Sequence, residues 1–156
     1  MKNLPIEKIR TILSAYKHIK AVFLFGSHAS NTNRKDSDVD LAILLEDKTN
    51  QKTMQNIKLS LLAEITELGL DKIDLVILNT APTLLRHTAC LPNYTIFERK
   101  DFDRGTFMTG VVKEYNDMLP LWEVQNKALK SRYKNGLHTA NKKKIRTVRR
   151  VSRTSK

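Results

Sequence analysis

The sequence is poor in the features that mark several large protein classes. It has one cysteine, Cys90, which excludes an intrachain disulfide and a cysteine-built metal cluster and sets the expectation of a reducing, cytoplasmic location. No stretch approaches the ~18 consecutive apolar residues of a membrane-spanning helix. The first ten residues interleave Lys2, Glu7, Lys8 and Arg10 where a signal peptide needs an apolar run. No segment repeats. Acids are missing from Thr139 to Lys156, where Lys142, Lys143, Lys144, Arg146, Arg149, Arg150, Arg153 and Lys156 stand together. These eight belong to the 28 basic residues that, against 16 acids, give a net charge of +12. The rest of the chain thus holds 20 basic residues against 16 acids and is only mildly basic.

What remains fits one domain. The 156 residues leave little room for a second, and 40% hydrophobic content is enough for a modest core. We expect a folded domain over residues 1–138 and a basic tail over 139–156 that is disordered in isolation, having little hydrophobic content. Such a tail can touch nucleic acid weakly through phosphates. It has no aromatic residue to stack on bases, and it is equally readable as an extension dispensable for catalysis.

Hydrophobic periodicity orders the elements. Ile6, Ile9, Leu13 and Tyr16 recur at helical steps, predicting a helix over 5–18 with Pro5 in its first turn. The apolar run 21–25 is a strand halted by Gly26-Ser27, and 30–37 is loop. Residues 39–45 form a strand apolar on both faces and so buried on both sides. An amphipathic helix follows over 52–68, with Met54, Ile57, Leu61, Ile65 and Leu68 inward and Gly69 as its C-cap. Residues 72–78 are a third strand, a short helix follows Pro82, and Tyr94 to Phe97 is a small edge strand. A helix is expected over about 105–135, with Pro120 kinking or dividing it. The fold class is α/β: a small mixed sheet backed by helices, with a long C-terminal helical segment packed across it.

Two of these strands open on acids. Asp38 and Asp40 are two apart, so on a strand their carboxylates share a face. Asp74 stands near the start of the third strand. A helix joins the two strands, as in a right-handed crossover between parallel neighbours, which brings all three acids to one sheet edge. If the first strand runs antiparallel to the second, Gly26-Ser27 lies at that edge too. Clustered carboxylates without basic partners raise one another's pKa, and Mg²⁺ or Mn²⁺ relieves this through oxygen ligands. A Gly-Ser turn allows close backbone approach to phosphates and offers a hydroxyl. The parts match metal-dependent nucleotidyl transfer.

Gly26-Ser27, then Asp38-Val39-Asp40, resembles the signature of the DNA polymerase β-like nucleotidyltransferases, and more narrowly the minimal nucleotidyltransferase (MNT) group. The resemblance covers about residues 1–135, including Asp74. It implies that Asp38 and Asp40 ligate two Mg²⁺ ions (Mn²⁺ being an alternative), that Asp74 helps hold the catalytic metal and assists deprotonation of the acceptor, and that Gly26 and Ser27 hold the triphosphate of ATP. It also implies an antitoxin role: adenylylation of a tyrosine on a partner HEPN-family ribonuclease toxin, within a hetero-oligomeric complex. Relatives often carry Arg-Gly where this chain has Ser30-Asn31, and Arg34 and Lys35 are candidate substitutes for the lost Arg. Three rival functions stand beside this one. A non-catalytic module could mask its partner, although the intact acids argue against that. An aminoglycoside-type transferase needs a further domain that this length does not accommodate. Nucleotide addition to RNA ends is mildly favoured by the tail. His28 reads as a loop residue beside the phosphates rather than a base, and Cys90 as a small buried hydrophobe.

Overall fold

The computed structural model describes residues 4–30, 37–91 and 94–151, with side chains as far as 133. Its elements are α1 (Ile6–Ser14), β1 (Ile19–Phe25), α2 (Gly26–Ala29), β2 (Val39–Leu45), α3 (Gln51–Thr66), β3 (Ile73–Ile77), a 3-10 turn (Leu78–Thr80), α4 (Thr83–Cys90), β4 (Tyr94–Glu98) and α5 (Arg104–Val151). The chain divides into two units, Met1–Tyr115 and Asn116–Lys156. Among the described residues no helix is long and apolar enough to cross a membrane.

The first unit is an α/β sheet in the order β3-β2-β1-β4. Strand β2 pairs parallel with β3 and antiparallel with β1, which pairs antiparallel with β4. The mixed sheet is the expected one, and β4 is its edge strand. Strand alternation sorts the core onto two faces. Val22, Leu24, Leu41, Ile43 and Leu75 pack with Ile9 and Leu13 of α1 and with Met54, Ile57, Leu61 and Ile65 of α3. Ala21, Phe23, Phe25, Ala42 and Leu44 face Ala89 and Cys90 of α4 and Val111 near the start of α5. Phe23 stacks on Phe107, with ring centroids 6.1 Å apart. Each fully buried Leu or Ile contributes about 1.5–3 kcal/mol; apolar residues on both faces are what make β2 the centre of the sheet.

Local chemistry sets the boundaries. Asn50 caps α3 by accepting the Thr53 N–H at 2.9 Å. Asp103 does the same for α5, taking the Thr106 N–H at 3.0 Å and its hydroxyl at 2.7 Å. Gly69, at φ +83°, lies in the turn after α3, and its N–H donates to Thr66 O at 2.9 Å. Helix α1 is shorter than expected: it ends at Ser14, where Ala15 and Tyr16 close 3-10-type bonds to Ile12 and Leu13. Pro5 is its N-cap rather than a first-turn residue.

Helix α5 runs further than expected, and of the two outcomes expected at Pro120 it excludes the division. Pro120 lies inside it without dividing it: proline lacks one N–H donor, and the bonds on either side carry the helix through. The backbone also stays helical to Val151, past the helix end expected at about 135. Lys, Arg and Ala are good helix formers, and no Pro or Gly follows Gly136.

Candidate active site

The site lies at the sheet edge where β1 ends and β2 and β3 begin. Phe25 is paired with Asp40 across β1 and β2, and Asp40 with Asp74 across β2 and β3. Adjacent strands are about 4.8 Å apart, so Asp40 is flanked by the Gly26 turn on one side and by Asp74 on the other. The parallel β3, which was anticipated, and the antiparallel β1, which the sequence left as a condition, are what converge here. Asp38 lies just before β2 and is exposed, as is Asp74; Asp40 is half-buried.

Gly26 has φ +66°. A Cβ built on it would lie 2.0 Å from Asp40 Oδ2 and 2.9 Å from its Cγ. Two constraints thus fall on one residue: a left-handed backbone, and a carboxylate occupying the space a side chain would take. The turn continues as α2, where the Ser30 hydroxyl donates to Gly26 O at 2.9 Å. Ser27 is half-buried within α2.

The Asp40 carboxyl is pushed above its ordinary range, first by burial and then by the charges of Asp74 and Asp38, with His28 opposing. His28 Nε2 lies 3.1 Å from the Ser37 carbonyl oxygen, a contact in which Nε2 carries the proton. It ties α2 to the residue preceding Asp38. His28, expected in a loop, belongs to α2, and a bond from side chain to carbonyl across a loop leaves no spacing signature. Asn79 was missed as well. Its amide accepts the Leu45 N–H and donates to Leu45 O, both at 2.9 Å, and so ends β2 as another strand would.

Among the described residues no salt bridge reaches Asp38, Asp40 or Asp74. Arg34 and Lys35, the candidate phosphate contacts, lie outside those residues, as does Asn31. No group of three or more His, Cys, Asp or Glu among them is arranged to hold a metal ion by itself. The donor chemistry still suits a hard divalent cation: the ligands are oxygen only, and their mutual repulsion is visible at Asp40. Mg²⁺ commonly takes one or two carboxylates and completes its shell with water and substrate phosphates. Elsewhere, Cys90 is fully buried, its thiol pushed up to about 11 by burial, in keeping with a core residue.

Comparison with known proteins agrees with this geometry. Residues 7–102 match the family described as polymerase beta, nucleotidyltransferase. A protein adenylyltransferase, MntA, of Aphanizomenon flos-aquae (strain 2012/KM1/D3) is 30% identical over 101 residues, covering 60% of this chain and 67% of its own. A toxin–antitoxin complex solved with AMP-PNP contains a chain that superposes with TM-score 0.66 at 20% identity, covering 81% of this chain and 98% of that one. The complex of a tri-AMPylated Shewanella oneidensis HEPN toxin with its MNT antitoxin gives TM-score 0.61 at 19% identity, over 83% and 98%. These last two share the fold. The family match takes in α1 through β4, with the Gly-Ser turn and all three strand acids inside it, and the chain belongs to the polymerase beta nucleotidyltransferases.

Proposed function

We propose that this chain is a metal-dependent protein adenylyltransferase acting as an antitoxin, which moves AMP from ATP onto a tyrosine of a partner HEPN ribonuclease toxin. The observation that carries the reading is the seat of Asp40: its carboxylate lies against the Gly26 backbone and beside Asp74, inside the segment that matches the family. The name of the Aphanizomenon relative supports protein adenylylation, and the AMP-PNP and AMPylated-toxin complexes support ATP and a HEPN partner. A cytosolic location goes with a reaction that draws on ATP.

In this reading Asp38 and Asp40 hold Mg²⁺, two ions or one, with Asp74 as a further ligand. The metal supplies positive charge to the triphosphate and the acceptor oxygen. The Gly26 backbone and the Ser27 hydroxyl hold the triphosphate, and the left-handed turn keeps the approach free of a side chain. The tyrosine oxygen attacks the α-phosphorus in line; the bond to the β-phosphate oxygen breaks, and pyrophosphate leaves. Asp74 assists removal of the phenolic proton. The chain's contribution is positioning and fixed charge, which is most of what phosphoryl-type transfer requires.

The test is transfer of label from α-³²P-ATP with Mg²⁺ to the co-purified partner, with D38N/D40N as the control. Label on a partner tyrosine, lost in the control, is the expected result. Tight partner binding without label on any protein would replace this reading with that of a masking module.

A further inference from the structure

The charge of the chain is distributed in a way the transfer reaction leaves unused. Residues 1–123 carry 16 Lys and Arg against 16 Asp and Glu, and so are neutral. Glu123 is the last acid. From Val124 to Lys156 there are twelve basic residues and no acid, so the whole +12 lies there. Up to Val151 this stretch is the end of α5, about 42 Å of helix at 1.5 Å per residue. Positions three and four apart are neighbours on a helix. Lys127, Lys130 and Lys134 recur at such steps. Further on, Lys142, Arg146, Arg149 and Arg150 recur at three- and four-residue steps. Like-charged neighbours oppose a helix, and no acid in the segment relieves them. A polyanion would.

We propose that the end of α5 is a binding arm for the phosphodiester backbone of nucleic acid. The charge is strung along the helix rather than gathered in a patch, which suits a ligand carrying one negative charge per ~1.7 Å of duplex. A helix that lies in a membrane surface carries Trp, Phe or Leu on its apolar side. Residues 134–151 contain no aromatic, and Leu137, Ile145, Val148 and Val151 are their only large aliphatics. Tyr133, which is exposed, precedes this segment; within 134–151 no Phe, Tyr or Trp is present to stack on bases, so the contacts made there are to phosphates and carry no sequence preference. The proposal does not depend on the transfer reaction: its residues lie outside the segment that holds Gly26, Asp40 and Asp74.

The experiment is fluorescence anisotropy with the full chain, a labelled 20-base-pair DNA duplex and an RNA hairpin of equal length, from 50 to 300 mM NaCl. The variant combines K142Q, K143Q, K144Q, R146Q, R149Q and R150Q; Gln is a good helix former, so the helix itself is spared. The full chain should bind both probes within tenfold of each other, with affinity falling steeply with salt. In the variant, affinity at 50 mM salt should drop on the order of 10²-fold or more, and the slope of log K against log salt should shrink by about 5, or ~0.9 per lost contact. A variant that binds as the full chain does would overturn the proposal. So would full-chain binding with no salt dependence, or tighter binding to phosphatidylserine vesicles than to either probe. Loss of affinity for the co-purified partner, with nucleic-acid binding unchanged, would reassign the arm to protein contact.

Discussion

The two ends of strand β2 hold acids in opposite electrostatic states. Past its last residue, Glu46 accepts from Arg99 Nη1 at 2.8 Å and lies 3.4 Å from His18 Nδ1. Arg99 also donates to Asp101 at 2.5 Å and to the Lys17 carbonyl at 2.8 Å. The hydrogen bond from Arg99 is the main reason that the Glu46 and Asp101 carboxyls sit below their ordinary range. At the other end, burial and the nearby Asp74 and Asp38 push the Asp40 carboxyl up. Acids that meet an arginine are committed to closing the sheet against α1 and β4. Acids gathered without one hold a charge imbalance that serves the fold poorly and suits a cation and its phosphate ligand well.

That contrast is most directly broken at its high end. Asp40→Asn should reduce adenylyl transfer by on the order of 10³-fold or more while leaving the melting temperature equal or higher, because a repelling charge is removed. The sign follows from linkage. A carboxyl whose pKa is raised in the folded state favours folding below the ordinary carboxylate range, and that contribution is lost as pH rises through the raised value. Above that raised value ionised Asp40 therefore costs stability, and the Asn variant should lose this part of the pH dependence. Full activity in the variant, or a sharply lower melting temperature, would remove Asp40 from the role assigned to it.

Gly26→Ala tests the same carboxylate from the opposite side. The new Cβ meets Asp40 Oδ2 at 2.0 Å, on a backbone with φ +66°, so either the carboxylate or the turn must shift. A loss of about 1–3 kcal/mol in stability is expected from the backbone conformation. Transfer should slow on the order of 10²-fold, as for a reacting group displaced by about 1 Å. Urea unfolding and the labelled-ATP assay read the two effects separately; an alanine variant with normal activity would show that the seat of Asp40 is not needed. His28→Ala should do less. It removes the link to Ser37 O and leaves the acids in place, so a loss in kcat/KM on the order of tenfold is expected, short of the ~10² of a misplaced reacting group. Circular dichroism should be unchanged, and a rate equal to that of the parent chain would make the link purely structural.

Much of this site is legible in the sequence. Asp38-Val39-Asp40 opening an apolar run fixed a strand and its face together, and the helix between Asp40 and Asp74 implied a parallel crossover. Together they located the sheet edge. What stayed hidden depends on contacts between distant residues: the Asn79 amide that ends β2, the His28–Ser37 link, and Arg99 joining Glu46, Asp101 and Lys17. Glu46 and Asp40 look alike in sequence, each an acid at one end of an apolar strand, and only the partner tells them apart. Helix α5 misled for another reason. Low hydrophobic content past about 135 argued for disorder, whereas the helix propensity of Lys and Arg carries the backbone helical to Val151.

The low end of the contrast gives the smallest expected effect and the cleanest sign. Arg99→Gln removes the partner of Glu46 and Asp101 and touches nothing near Asp40, so transfer should be unchanged. A depressed carboxyl pKa stabilises the fold above the ordinary value, about 4, and that stabilisation is lost as pH falls through the depressed range. The variant should therefore be less stable than the parent at pH 7, and the gap should narrow as pH drops below about 4. It should narrow with added salt as well, because Arg99 and Glu46 are only partly buried and Asp101 is exposed. Urea midpoints at pH 7, 5 and 3 measure it. A gap independent of pH would assign the role of Arg99 to its bond with the Lys17 carbonyl, and a changed transfer rate would mean that the two ends of β2 are coupled rather than separate.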